Sequence, residues 1–237
     1  MGEPVKGKTE AGRLREARAH ATRQRIVDAA LELFFDQGYA ATSMEAIARR
    51  AGVSVATIYQ AFGTKQGVVA RALDATIAGD HAPVAIIDRP WVAEVRRESD
   101  PHRKLVIVVR ETSRMVARAA RVRAILRDAA AVESDLRSVI AEDYRRRHLT
   151  QSALVEMFAA GRQLRPGLSM KRAADIFFGF VSDEMYRLMV LVRGWSESAW
   201  RDWLVEAVER ELFDDGRVSS SAAARHRSAH SRRGRTG

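Results

Sequence analysis

Two adjacent side chains, Tyr59 and Gln60, stand on the short apolar-periodic run "VATIYQAF" and have no evident use in a core. Ile58 and Phe62 are four residues apart and share one face of a helix, which turns Val55, Ala56, Tyr59 and Gln60 elsewhere. A glutamine amide can pair bidentately with adenine, and a small apolar side chain can meet a thymine methyl, in the major groove. The hydroxyls of Thr42, Ser43, Ser54, Thr57 and Tyr59 and the Lys65 ammonium suit phosphate oxygens. Backbone N–H groups left free at helix starts attract the same anions. The chemistry these residues offer together is the reading of DNA.

Catalytic chemistry has much less support. His20, His81, His102, His148, His226 and His230 include no metal-binding i,i+4 pair on a helix. His226 and His230 are four apart but lie in a low-complexity tail. There is no His-Glu-x-x-His, no P-loop and no Gly-rich dinucleotide fingerprint. "GVSVA" lacks the second glycine and the preceding strand of a nucleophile elbow. Cysteine is absent, which removes thiolate metal sites and disulfides. Arg145, Arg146 and Arg147 read as a solvated helix face. The expectation is a protein that is not an enzyme and needs no cofactor or metal.

The elements that must position Tyr59 and Gln60 follow from local signals. A helix is expected from Thr22 to the stop at Gly38, with Ile26, Ala30, Leu33 and Phe34 on one face. Thr42 or Ser43 caps "MEAIARRA", and Gly52 ends it. Ser54 caps "VATIYQAF", and Gly63 ends that. Thr64 caps the next helix, "KQGVVARALDATIAGD". Two short helices joined by a tight Gly-Val-Ser turn form a helix-turn-helix. Downstream, Pro83, Pro90 and Pro101 break the chain, with a short helix expected near residues 91–97. The pattern is then helical to about Phe213. It comprises "HRKLVIVVRETSRMVARAA", a short helix near "VRAILRDAA", one from about Glu133 to Gly161, one capped by Ser169 and one capped by Ser196. No segment sustains period-2 alternation.

The 237 residues suffice for one or two domains with a real core. The formal net charge is +10. The excess sits at the ends, because residues 216–237 hold six arginines and no acid while residues 22–215 are nearly balanced. Basic ends suit a polyanion, through counterion release, although a solubilising tail has the same composition. Arg13, Arg15, Arg18 and Arg23 could reach DNA as an arm. No apolar run is long enough to span a bilayer, and the first twenty residues lack a signal-peptide core. A soluble protein of the cytoplasm is expected.

Residues 22–70 resemble the DNA-binding domain of the TetR family of bacterial transcriptional regulators. The resemblance rests on "GYAATS", "IARRAGVS", "TIYQAF" and "TKQGV" at the family's spacing. It implies an all-α homodimer with an N-terminal three-helix domain, residues 22–67, on a pseudo-palindromic operator. A larger helical domain, residues 68–213, dimerises and holds a small apolar or amphipathic effector. Residues 1–21 would be a disordered basic arm and 214–237 a disordered basic tail. By matching position, Val55, Ala56, Tyr59 and Gln60 would face bases or the groove wall. Thr42, Ser43, Ser54, Thr57, Tyr59 and Lys65 would hold phosphates. Two residues depart from the family pattern: Ala56 where Gly is common, and Ala61 where His or Tyr is common.

With its Arg-Pro-Gly-Leu-Ser turn, its Arg-Gly-Trp-Ser turn and a Trp-Leu pair in the last helix, the segment "LRPGLSMKRAADIFFGFVSDEMYRLMVLVRGWSESAWRDWLVEAVERELF" resembles the end of one subgroup of the same family, where the last two helices, about 169–213, form the dimer interface. Its first helix is apolar nearly all round, as a helix covered by a partner should be. Candidate effector-pocket residues are Met115, Tyr144, Met157, Phe158, Phe177, Phe180 and Tyr186, which could equally be core filling. The function expected is a ligand-responsive repressor. The rival reading is a helical ligand-binding or scaffolding protein whose helix-turn-helix no longer reads DNA.

Overall fold

A computed structural model describes residues 10–82 and 84–213. The expected C-terminal tail and the first nine residues lie outside this range. The described residues form helices and one isolated antiparallel bridge, Leu164 to Phe213. They divide into two compact units, residues 10–82 with 118–144 and residues 84–117 with 145–213.

In the first unit, α1 (Glu10–Ala41) precedes three short helices: α2 (Met44–Ala51), α3 (Val55–Phe62) and α4 (Lys65–Ala78). The expected start at Thr22 is corrected. The Ala-, Arg- and Glu-rich run from Glu10 contains strong helix formers and no breaker after Gly12, so the helix extends through Thr22 and residues 10–21 are ordered helix. Gly38 does interrupt it, at φ 81° and ψ 168°. Ile26, Ala30 and Phe34 of α1, Ile47 and Ala48 of α2, Ile58 of α3 and Val69 and Leu73 of α4 bury one shared core. That core also takes Val122 and Leu126 from α6 (Pro101–Ala130) and Leu136 from α7 (Leu136–Ala159). The unit around the helix-turn-helix is therefore larger than residues 22–67, because residues 118–144 return to it. The two helices expected in "HRKLVIVVRETSRMVARAARVRAILRDAA" are one.

The second unit contains α5 (Pro90–Arg97), α8 (Met170–Phe180), α9 (Asp183–Tyr186) and α10 (Glu197–Leu212). The helix expected to run unbroken from Ser169 is divided. Val181 leaves helical geometry, and the Ser182 hydroxyl accepts from the Met185 N–H to cap α9. Ser182 followed by Asp183 and Glu184 is an N-cap with an acidic first turn, a stronger local signal than the apolar run it interrupts. Beyond Tyr186 the chain continues as a π-helix over Arg187–Val192. Asp183 is buried and accepts from Arg147 Nη1 at 3.1 Å, and the Arg147 guanidinium lies 4.3 Å from the centre of the Phe178 ring.

Glu209 on α10 is held by two partners, accepting from both terminal guanidinium nitrogens of Arg162 and meeting His102 Nδ1 at 3.0 Å. Burial works to raise its pKa, but hydrogen bonds and charge from Arg162 and His102 prevail and hold it below the ordinary carboxylate value. A depressed carboxylate pKa stabilises above the unfolded-state value and loses that contribution as pH falls through the folded value. Glu209→Gln should therefore cost about 1–3 kcal/mol at neutral pH. In urea titrations at falling pH, its deficit against the parent should shrink through the acid range. A deficit independent of pH would mean that the carboxylate charge contributes nothing.

Candidate nucleic-acid interface

The α2–α3 corner is fixed by its caps. Ser43, not Thr42, is the N-cap of α2, its hydroxyl accepting from the Ala46 N–H at 3.1 Å. Gly52 closes α2 in the left-handed region at φ 65°, and Val53 N–H reaches back to the Ala48 carbonyl, a Schellman closure. Ser54 then caps α3, accepting from the Thr57 N–H at 3.1 Å and meeting the Thr57 hydroxyl at 2.8 Å. With Ile58 wholly buried, Ala56, Tyr59 and Gln60 stand exposed, Tyr59 at 51%. An aromatic side chain half in solvent on an eight-residue helix capped at both ends is preorganised to present a surface.

Some expected contacts are placed differently. Thr42 is buried at 1% exposure, its hydroxyl donating to the Gly38 carbonyl at 2.8 Å and accepting from Gln37. It closes the break at Gly38 and is not placed to touch a phosphate. Val55 is half-buried against the core and offers only part of its surface. Ser43 and Ser54 remain exposed, and Thr57 is half-buried beside Ser54. Lys65 opens α4 after the Thr64 cap, its ammonium 4.0 Å from the centre of the Tyr39 ring. Burial foremost lowers its pKa, while Glu133 acts in the opposite direction.

Tyr39 and Gly67 are the residues that sequence reasoning passed over. Nothing in the periodicity pairs Tyr39 with a residue twenty-six positions later. Gly67 has ordinary helical geometry, so no turn signal marks it. A Cβ there would lie 2.2 Å from the Phe62 carbonyl oxygen, which only the folded α3–α4 approach reveals.

The seven effector-pocket candidates fall in both compact units. Tyr144 belongs to the first unit, where it lines a small cleft with Leu73, Arg123, Leu126, Ile140 and Asp143. That cleft offers about 10 Å³ to the centre of a water-sized molecule, room for about one water. The other six belong to the second unit. Phe158 and Phe177 are fully buried with ring centres 5.4 Å apart. Phe180 meets Trp203 at 5.8 Å and Tyr186 meets Trp200 at 5.1 Å, with its hydroxyl donating to Glu197. These rings are spent on one another, as core filling is. Met115 and Met157 are half-buried.

Residues 26–72 match the model of the N-terminal domain of bacterial regulatory proteins of the tetR family. The HTH-type transcriptional regulator SrpR of Pseudomonas putida is 40% identical over 86 residues, 33% of this chain and 38% of that protein. The uncharacterized regulator TtgW of the same species is also 40% identical over 86 residues, 61% of its own length. The chain thus spans less than two thirds of these curated relatives. Among solved structures, NalD, the secondary repressor of the MexAB-OprM multidrug efflux pump in Pseudomonas aeruginosa, is similar in fold. Its TM-score is 0.63 at 23% identity, over 84% of this chain and 98% of NalD. The regulator FadR of Bacillus subtilis, solved with stearoyl-CoA, gives a TM-score of 0.59 at 20% identity, over 78% and 96%.

Proposed function

We propose that this chain, which belongs to the TetR family of bacterial regulatory proteins, is a sequence-specific transcriptional regulator, most simply a ligand-responsive repressor. The observation that carries the reading is α3: Ile58 anchors it, caps lock both ends, and Ala56, Tyr59 and Gln60 are left facing outward. Such a helix has the length and chemistry to lie in a major groove. Ser43, Ser54 and Thr57 stand at helix starts, where phosphate oxygens would meet hydroxyls and free N–H groups together. The protein would work on the nucleoid in the bacterial cytoplasm. Among the described residues no helix is long and apolar enough to cross a membrane.

A homodimer through the segment 169–213 fits the surface of the π-helix. Leu188, Leu191 and Val192 are 47%, 62% and 58% exposed within six residues, a concentration that calls for a cover. A twofold dimer would present two α3 helices to an inverted repeat. An effector of the second unit would have to part rings that now fill space together. It would act by favouring a geometry that no longer fits the operator. The neighbour solved with stearoyl-CoA is the support for an apolar or amphipathic ligand.

Anisotropy titrations on duplexes from the DNA beside its own coding region should find saturable, salt-sensitive binding to an inverted repeat. Tyr59→Ala should weaken it about tenfold or more, as the loss of one good groove contact does, with an unchanged melting temperature. Equal affinity for random duplex at moderate salt would leave the rival reading, a helix-turn-helix that no longer reads DNA. A large fall in melting temperature would make Tyr59 a structural residue.

A further inference from the structure

Lys65 occupies an unfavourable place for a cation. It is the first residue of α4, where the helix dipole repels positive charge. It is also partly withdrawn from water. Two local costs at one side chain mark a position whose residue type is set by something other than stability. What holds the ammonium there is the face of Tyr39, 4.0 Å from the nitrogen to the ring centre. That ring cannot swing away: Tyr39 is 1% exposed and lies 5.4 Å from Phe34 in the core shared by α1, α2, α3 and α4. Among the described residues its buried hydroxyl has no hydrogen-bond partner, and the ring is the group that meets Lys65.

Opposite charge comes from the turn between α6 and α7. Glu133, half-buried on that turn, acts electrostatically on both Tyr39 and Lys65. The next residue after the turn, Leu136, is fully buried in the same core as Tyr39. The turn is therefore anchored by the core that also holds Tyr39. An ammonium fixed on a ring and a carboxylate acting on it through its field make an arrangement in which the surroundings of one cation can be tuned.

Resting on the DNA-binding reading above, we propose that Tyr39 and Glu133 are positioning residues for Lys65. The Tyr39 ring fixes the ammonium at the start of α4 for one DNA phosphate, and the Glu133 carboxylate, not in contact with it, is an intramolecular anion whose field opposes that phosphate. DNA affinity is then set in part by where the α6–α7 turn holds Glu133. Any rearrangement of α6 and α7 that brings Glu133 closer to Lys65 weakens the phosphate contact without touching α3.

The test uses the full chain on its inverted-repeat duplex across a potassium chloride series. Tyr39→Leu should lower affinity and reduce the slope of log affinity against log salt by about 0.9, the mark of one lost phosphate contact. Tyr39→Phe, which keeps the ring, should leave both unchanged. Glu133→Gln should raise affinity severalfold at low salt, and Lys65→Met should abolish that gain, since the pair acts only through the shared cation. Equal losses in Tyr39→Leu and Tyr39→Phe with no change of slope would overturn the role of the ring. A Glu133→Gln gain that persists in Lys65→Met would overturn the role of the carboxylate. Should Tyr39→Leu fail to fold, the Glu133–Lys65 cycle decides alone.

A DNA-free reading separates this proposal from the one it rests on. The chain's lysines are Lys6, Lys8, Lys65, Lys104 and Lys171, few enough to resolve by isotope labelling. The ε-methylene resonance of Lys65 should be shifted upfield by the Tyr39 ring, and a position matching the other lysines would sink the proposal whatever the DNA result. A shifted resonance in a chain that binds no duplex would defeat both the DNA-binding reading and the phosphate role.

Discussion

Arg123→Met should lower stability by about 3–5 kcal/mol, the penalty for leaving a buried charge without its partner. The double exchange Arg123→Met with Asp143→Leu should recover most of that loss. Arg123 on α6 grips Asp143 on α7 with two hydrogen bonds, Nε to Oδ2 at 2.9 Å and Nη2 to Oδ1 at 3.2 Å. The two side chains are only 7% and 8% exposed. Fork-on-carboxylate geometry is the arrangement in which attraction repays desolvation best, and either group alone repays none of it. Leu73, Leu126 and Ile140 line the same cleft, so an apolar replacement pair meets apolar neighbours. Urea unfolding of the single and double variants reads the outcome. A single variant within about 1 kcal/mol of the parent would mean that water reaches Asp143 freely, since exposed pairs contribute no more than that.

The first unit shows which parts of the protein are written locally. Ser54, Thr64, Gly52 and Gly63 each act within four residues of themselves, so the α2–α3–α4 boundaries could be read from the chain alone. The outward face of α3 followed from the four-residue spacing of Ile58 and Phe62, and Tyr59 and Gln60 are exposed as that spacing requires. Thr42 could not be placed in this way. A hydroxyl beside a helix start suits a phosphate, but the break at Gly38 frees a carbonyl four residues back, and Thr42 turns inward to it. The return of residues 118–144 to the first unit has no local signature, because it depends on Val122 and Leu126 finding a core built mostly from residues 26–73. The break at Ser182 was legible and was outweighed. The many large apolar residues between Ile176 and Val190 suggested one buried helix, while the three residues Ser182, Asp183 and Glu184 decided the matter. Phe158 packs on Phe177 and Tyr186 on Trp200, contacts that composition and periodicity could not distinguish from the lining of a pocket.

Gly67→Ala should destabilise the protein and weaken DNA binding together, in a position where helix propensity alone predicts a gain. Alanine is favoured over glycine inside a helix by about 1 kcal/mol. Against this, a Cβ on Gly67 would stand 2.2 Å from the Phe62 carbonyl oxygen and 3.2 Å from its carbon. Both are backbone atoms at the end of α3, so no rotamer change can relieve the contact. That carbonyl also accepts from the Thr64 N–H at 2.8 Å, in the turn that sets the start of α4. Relief must come from moving α4 away from α3 or from opening this turn. Over-packing of this kind costs about 1–3 kcal/mol, which exceeds the propensity gain. Either movement changes the angle between α3 and α4, and on the proposed DNA-binding reading the groove contacts of α3 depend on that angle. An affinity loss of about tenfold or more is therefore expected at temperatures where the variant is still folded, equivalent to about 1.4 kcal/mol. Gln66→Ala, one position earlier, adds no atom near Phe62 and should leave melting temperature and binding close to the parent values. Calorimetry and the same anisotropy titration give both readings. A Gly67→Ala protein as stable as its parent and as tight on DNA would show that α3 and α4 do not approach as closely as the backbone places them.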